Sequence, residues 1–212
     1  MTVKTVLCFG DSNTWGYNAA TESRYPLAKR WTSVLARELG EGYLVIPEGL
    51  NGRTTVWPDP VEGEYKSGKS YLTACLESHH PLDLVVIMLG TNDLKHRFGL
   101  SAWDIAHGAA TLVEIVQAST FGAEGRPPRV LLIAPPPTCV AGTRFAEMFG
   151  GSDEISSGLG PAYALVAAEL GCSFLDAGAV ITSSTVDGIH FDEDALPVLG
   201  KAVATSARAI LG

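Results

Sequence analysis

Apolar residues fall along the chain in two alternating rhythms. Short unbroken runs occupy Thr5–Phe9 (TVLCF), Tyr43–Ile46, Leu84–Leu89 (LVVIML), Val130–Ala134 (VLLIA) and Ser173–Leu175. Between them Trp31–Leu39, Ser70–Ser78, Ala102–Ser119 and Ala162–Leu170 carry apolar positions at helical spacing, and a last helix is predicted from about Ala195 to Leu211. Glycines punctuate the runs: Gly10 and Gly90 follow two strands and Gly40 follows a helix. Continuous apolar strands with helices between them predict an α/β fold, a five-stranded parallel sheet covered on both faces.

One stretch breaks the rhythm. From Pro135 to Pro161 prolines and glycines are dense, and the helix before Ala162 has no clear start. Within it Phe145, Met148 and Phe149 fall at i, i+3 and i+4, on one face of a helical turn. Such a face on an insertion serves as a lid, a substrate wall or a subunit contact, or packs on the core. No repeat, low-complexity tract or linker interrupts the 212 residues, a length that fits one domain spanning 1–212.

Composition narrows the function classes. Apolar residues make up 46% and charged residues 18%, so the chain can build a core without disulfides or a metal. The net charge of -8, with no Lys/Arg run, argues against nucleic acid and anionic membrane surfaces as partners. Cys8, Cys75, Cys139 and Cys172 have no CxxC spacing, which argues against a zinc or redox motif and for buried reduced thiols. No signal-peptide pattern opens the sequence and no apolar run reaches membrane-spanning length, so a cytoplasmic protein is expected.

In an open parallel sheet, ligands bind beyond the carboxyl ends of the strands. Gly10-Asp11-Ser12-Asn13, Gly49-Leu50-Asn51-Gly52-Arg53 and Gly90-Thr91-Asn92-Asp93 follow the first three strands, and Asp187-Gly188-Ile189-His190 precedes the last helix. A serine hydroxyl becomes nucleophilic when an imidazole accepts its proton and a carboxylate orients that imidazole. Ser12, His190 and Asp187 supply those groups. The three-residue spacing of Asp187 and His190 lets the carboxylate reach Nδ1 while Nε2 faces outward. The tetrahedral intermediate of ester cleavage needs oxyanion donors, and the Ser12 and Gly52 N–H groups and the Asn92 amide are the candidates. Taken singly, Ser12 reads as a turn or cap residue, Asn92 and Asp93 as caps, and His190 as a surface histidine. Four such clusters at strand ends, in this order, favour the catalytic reading. Asp11 and Asp93 are expected to brace their own turns. His79, His80, His96 and His107 lack a nearby patterned acid and read as surface residues.

GDSNTWG, NGRTT, GTND and DGIH resemble the four signature blocks of the SGNH (GDSL-type) hydrolases. The resemblance assigns Ser12, Gly52, Asn92 and His190 to the named positions and Asp187 to the triad acid. LCFGDSNTWGY, EGLNGRTT, PLDLVVIMLGTND and VDGIHF resemble bacterial arylesterases that also act as acyltransferases and perhydrolases, over nearly the whole chain. This implies a flavodoxin-like three-layer α/β/α fold and small acyl or aryl esters as substrates. It further implies water, alcohol or peroxide as acceptor, no cofactor, no metal and often a homo-oligomer. It also implies that Trp15, Thr91, Lys95 and Ile189 line the pocket and that Phe145, Met148 and Phe149 form an apolar wall or entrance. Asn13 stands where GDSL has leucine, which bears on acyl preference.

Other readings compete. The same triad serves carbohydrate deacetylases, thioesterases and lysophospholipases with different pockets. Phosphoryl transfer through Asp11 requires a second acid two residues on, where Asn13 stands. A flavodoxin-like binding module requires a decayed site, whereas all five catalytic candidates are present. A Rossmann reading lacks GxGxxG after the first strand.

Overall fold

The computed structural model describes residues 3–212. Five parallel strands form the sheet: β1 (Lys4–Gly10), β2 (Tyr43–Gly49), β3 (Leu84–Met88), β4 (Arg129–Ala134) and β5 (Ser173–Asp176), in the order β2-β1-β3-β4-β5. Helices α1 (Ser12–Trp15), α2 (Trp31–Leu39), α3 (Gly68–His79), α4 (Ala102–Gln117), α5 (Ser152–Ser157), α6 (Leu159–Leu170) and α7 (Ala195–Leu211) make the connections. A two-residue antiparallel ribbon, Tyr17–Asn18 with Ser23–Arg24, follows α1. Among the described residues no helix is long and apolar enough to cross a membrane.

The strands are apolar throughout because both faces are covered, and successive residues serve opposite faces. Leu7, Phe9, Val85, Ile87 and Leu132 pack with side chains of α3, α4 and α6. Val6, Cys8, Leu84, Val86, Leu131 and Ile133 pack with side chains of α2 and α7. The expected three-layer α/β/α architecture is present. The predicted bounds of α2 and α7 match the structure. The second strand runs past the predicted Ile46 to Gly49, because its outer residues lie at a sheet edge and do not read as an apolar run. The sixth helix starts at Leu159, and the preceding proline-rich stretch contains a further short helix, α5.

The four thiols are not all buried. Cys8 and Cys75 are, but Cys172 is half-buried and Cys139 is exposed. Cys139 lies in the irregular connection after β4 rather than on a core-facing element, which is why the expectation fails there.

The sheet sets three of the four polar clusters at one edge. Gly10 pairs with Gly49 on one side and Met88 on the other, so β1, β2 and β3 end in register. The reversal of strand order beside β1 opens a crevice there.

Close contact between α2 and α7 closes one face. A Cβ on Gly200 would stand 2.6 Å from Val34 Cβ and 2.7 Å from the Trp31 carbonyl oxygen. Gly200→Val is expected to destabilise the protein by about 1–3 kcal/mol through overpacking, read as a lower urea midpoint at unchanged slope. An unchanged midpoint would mean that the two helices tolerate separation.

Candidate active site

The Ser12 turn is built by a cap. Asp11 is the N-cap of α1 and its Oδ1 accepts the Asn13 N–H at 2.9 Å. Gly16, at φ +93°, ends the single turn in the left-handed region and sends the chain into the ribbon. This leaves Ser12 at the carboxyl end of β1. The Asn13 amide donates to the Ile189 carbonyl at 3.3 Å, joining the Ser12 turn to the histidine loop.

The histidine loop is held by its own acid. Asp187 Oδ1 accepts the N–H groups of Ile189 and His190, both at 3.0 Å, while Oδ2 lies 2.6 Å from His190 Nδ1. His190 Nε2 lies 2.9 Å from Ser12 Oγ. Asp187 is fully buried. Burial by itself raises its pKa, but the His190 ring and the two loop N–H groups outweigh burial and hold the carboxyl below its ordinary value. The three residues predicted as a triad thus form one continuous line.

Gly52 and Asn92 face the same cleft. Gly52 has φ +80°, a conformation that side-chain-bearing residues rarely adopt. The Ser12 and Gly52 N–H groups have no protein acceptor among the described residues. Asn92 Nδ2 donates to the Arg53 carbonyl at 3.1 Å, which fixes the amide and leaves its second N–H unused.

The cleft has a volume of about 190 Å³. Lys95, Phe145, Met148, Phe149 and Ile189 line it as expected. Trp15 and Thr91 do not. Trp15 lies beneath the Arg24 guanidinium, 4.5 Å from its ring centroid, and Arg24 also donates to the Trp15 carbonyl. Thr91 is buried beside the Asp11 carboxyl. Adjacency in sequence to Ser12 and Asn92 did not translate into facing the cleft.

Three lining residues escaped the sequence reading: Tyr17, Asn51 and Glu62. Tyr17 packs its ring 4.2 Å from that of His190. Glu62 comes from the excursion between β2 and α3, where no periodicity marks any position. The glycine at 16 was the available signal for a chain reversal next to Tyr17.

Lys95 is almost fully buried, and its ammonium donates to Glu62 Oε1 at 2.6 Å and Asp59 Oδ2 at 3.2 Å. Arg97 reaches the same two acids at 3.0 and 3.5 Å. Burial favours a neutral Asp59, but the Glu62 and Val61 N–H groups and Lys95 outweigh it and hold its pKa low. Two acids and two bases therefore cancel at one wall of the cleft.

At the opposite wall Arg144 pairs with Glu22, bonds to Tyr17 Oη at 3.1 Å and comes within 3.8 Å of Asp187 Oδ2. The irregular 135–161 stretch is thereby tied to the ribbon over His190. His79 was expected to lack an acid, yet it meets Glu48 at 3.0 Å. The acid lies on a strand, distant in sequence.

Asp93 braces more than its own turn. It is buried and accepts both the N–H and the hydroxyl of Thr55, tying the Asn92 turn to the Gly52 block.

These four blocks carry a family signature. The GDSL-like lipase/acylhydrolase family model matches residues 8–195. The chain belongs to this family. Solved structures agree along the whole length. The native aryl esterase of M. smegmatis is 42% identical, with TM-score 0.93, over 99% of this chain and 100% of that one. A carbohydrate acetylesterase family member from Sinorhizobium meliloti is 41% identical, with TM-score 0.94, over 99% and 100%. A G-D-S-L family lipolytic protein from Veillonella parvula, at 17% identity and TM-score 0.68, shares the fold. No curated protein matches the chain. Family membership makes this protein an ester hydrolase of the acylhydrolase type.

Burial raises the Asp11 carboxyl to about 6 and Asp93 to about 7, against the hydrogen bonds each accepts. Both groups bind protons more tightly folded than unfolded. Their contribution is therefore full below pH 4 and is lost as pH rises to about 7. Unfolding free energies across that window are expected to decline less steeply in Asp93→Asn than in wild type. Equal slopes would show that Asp93 does not titrate there.

Proposed function

We propose that the protein is a serine esterase acting on small acyl or aryl esters through an acyl-enzyme, and that it also transfers the acyl group to alcohols or peroxide. The observation that carries this reading is the unbroken Asp187–His190–Ser12 line, with contacts of 2.6 and 2.9 Å.

His190 Nε2 takes the Ser12 proton as Oγ bonds to the ester carbonyl carbon. The Ser12 N–H, the Gly52 N–H and the free Asn92 N–H stabilise the oxyanion that results. Collapse breaks the bond to the leaving alkoxide, which takes the proton back from His190. Water, alcohol or peroxide then gives its proton to His190, attacks the acyl carbon, and Ser12 leaves as the hydroxyl. Asp187 keeps Nδ1 protonated and stabilises the imidazolium in both halves. No step calls for a metal or cofactor.

The cleft volume supports small substrates, since about 190 Å³ lies below the roughly 300–1,000 Å³ of pockets for drug-sized ligands. Phe145, Phe149, Ile189 and Tyr17 give it an apolar side, which favours short acyl and aryl groups. An apolar wall also lowers the local activity of water relative to an alcohol, which supports acyl transfer. Trp57, Val61 and Tyr65 are exposed on the excursion that carries Glu62, and they support a homo-oligomer built through that loop. The carbohydrate acetylesterase relative makes acetylated sugars the second substrate class to try.

Wild type is expected to turn over p-nitrophenyl acetate and to be labelled by a fluorophosphonate, and Ser12→Ala to lose both. Asn92→Ala should lower kcat by about 100- to 1000-fold, as loss of one oxyanion donor does elsewhere. Labelling that persists in Ser12→Ala would overturn the nucleophile.

Acyl transfer predicts that adding a primary alcohol raises the fraction of new ester above the alcohol's mole fraction against water. A product ratio that merely follows mole fraction would leave the protein a plain hydrolase.

A further inference from the structure

Outside the catalytic cleft, one group of side chains combines three metal-ligating chemistries. Cys75 and His79 stand four residues apart on α3, hence on one face of the helix. Glu48 faces them from edge strand β2. Glu48 Oε1 is 3.0 Å from His79 Nε2, and one atom from each of the three residues lies within 4.8 Å of the others. We propose that Glu48, Cys75 and His79 form a binding site for one divalent cation of the zinc class, separate from the esterase centre.

The donor set selects the ion. Thiolate, imidazole and carboxylate together match zinc, whereas magnesium and calcium take oxygen ligands. Zinc bonds run about 2.0 Å to nitrogen and oxygen and about 2.3 Å to sulfur, so tetrahedral neighbours stand roughly 3.3–3.6 Å apart. The Glu48–His79 pair needs to open by a few tenths of an ångström and the thiol to close by about one. Side-chain rotation supplies this, because Glu48 and His79 are 23% and 28% exposed. Their exposure also admits a water as fourth ligand. Cys75 anchors the site from below with no exposed surface.

Burial and the Glu48 carboxylate raise the Cys75 thiol to about 12, and the Arg53 guanidinium works against that rise. Binding replaces the thiol proton with the cation and releases one proton to solvent. Binding takes the Glu48–Cys75 pair from one net negative charge to neutral, so Arg53 faces a weaker acidic neighbour and not a cationic one. The sequence concealed this set, because its members lie on a strand and a helix and do not form a CxxC pair.

Cobalt(II) is the probe, used on the whole chain in a Cys139→Ser background so that the exposed thiol does not compete. One equivalent is expected to give a thiolate-to-cobalt charge-transfer band that zinc abolishes by displacement. Cys75→Ser should lose the band while keeping its circular dichroism. His79→Gln removes a direct ligand, so it should weaken cobalt binding at least as much as loss of an outer-shell partner does, about tenfold or more. No band in the parent protein, or an equal band in Cys75→Ser, overturns the site. If Cys75→Ser does not fold, His79→Gln decides: an unchanged cobalt affinity overturns it. Zinc should also raise Tm where equimolar magnesium does not, and an equal rise with both ions would count against a thiolate ligand.

Discussion

Asp93 accepts two kinds of hydrogen bond from one residue, Thr55, and in doing so joins two loops that the sheet delivers separately. Asn92 lies one position before it and Gly52 three positions before Thr55. The spacing of the amide and the glycine N–H across the cleft therefore depends on a single buried carboxylate. Such a group is costly to bury unless its acceptor sites are filled. Here the loops themselves fill them, so the loops cannot drift apart without exposing an unsatisfied acid. Asp11 does the same for the Ser12 turn, and Asp187 for the histidine loop. Each of the three acids fixes a segment of backbone first and affects chemistry only through it or alongside it.

The two walls of the cleft are held differently. On one, Asp59, Glu62, Lys95 and Arg97 cancel in charge, two of them with almost no exposed surface. Removing one member would leave an unpaired buried charge, which is more damaging than never having had the network. On the other, aromatic packing and the Arg144 contacts hold Tyr17 against His190. The first wall is rigid because charge demands it. The second rests on the exposed Arg144–Glu22 pair, which contributes little, so its order depends on Phe145 and Phe149 packing.

Much of this was legible in the chain. Five apolar runs with helices between them announced the sheet, because strands covered on both faces leave no polar alternation to read. Ser12, Gly52, Asn92, Asp187 and His190 were legible because each sits in a glycine-marked turn at a strand end or before a helix. Tyr17, Glu62 and Arg144 were not. They belong to irregular backbone or a two-residue ribbon whose course is set by contacts such as Arg144 with Tyr17, made between residues 127 apart. Trp15 and Thr91 misled for a related reason. A residue beside a catalytic one in sequence need not face the same space once the chain turns, and these two turn toward Arg24 and Asp11. Sequence also gave His79 no partner, since Glu48 approaches from another element.

The Ser12–His190 contact spans 178 positions of the chain. During synthesis His190 is added roughly 10–35 s after Ser12 at ordinary elongation rates. Throughout that time the nascent chain carries Ser12 without the imidazole it meets in the folded protein. On the proposed mechanism, hydrolytic competence cannot arrive before His190 does, so nascent chains that stop short of it are chemically silent toward the esters around them.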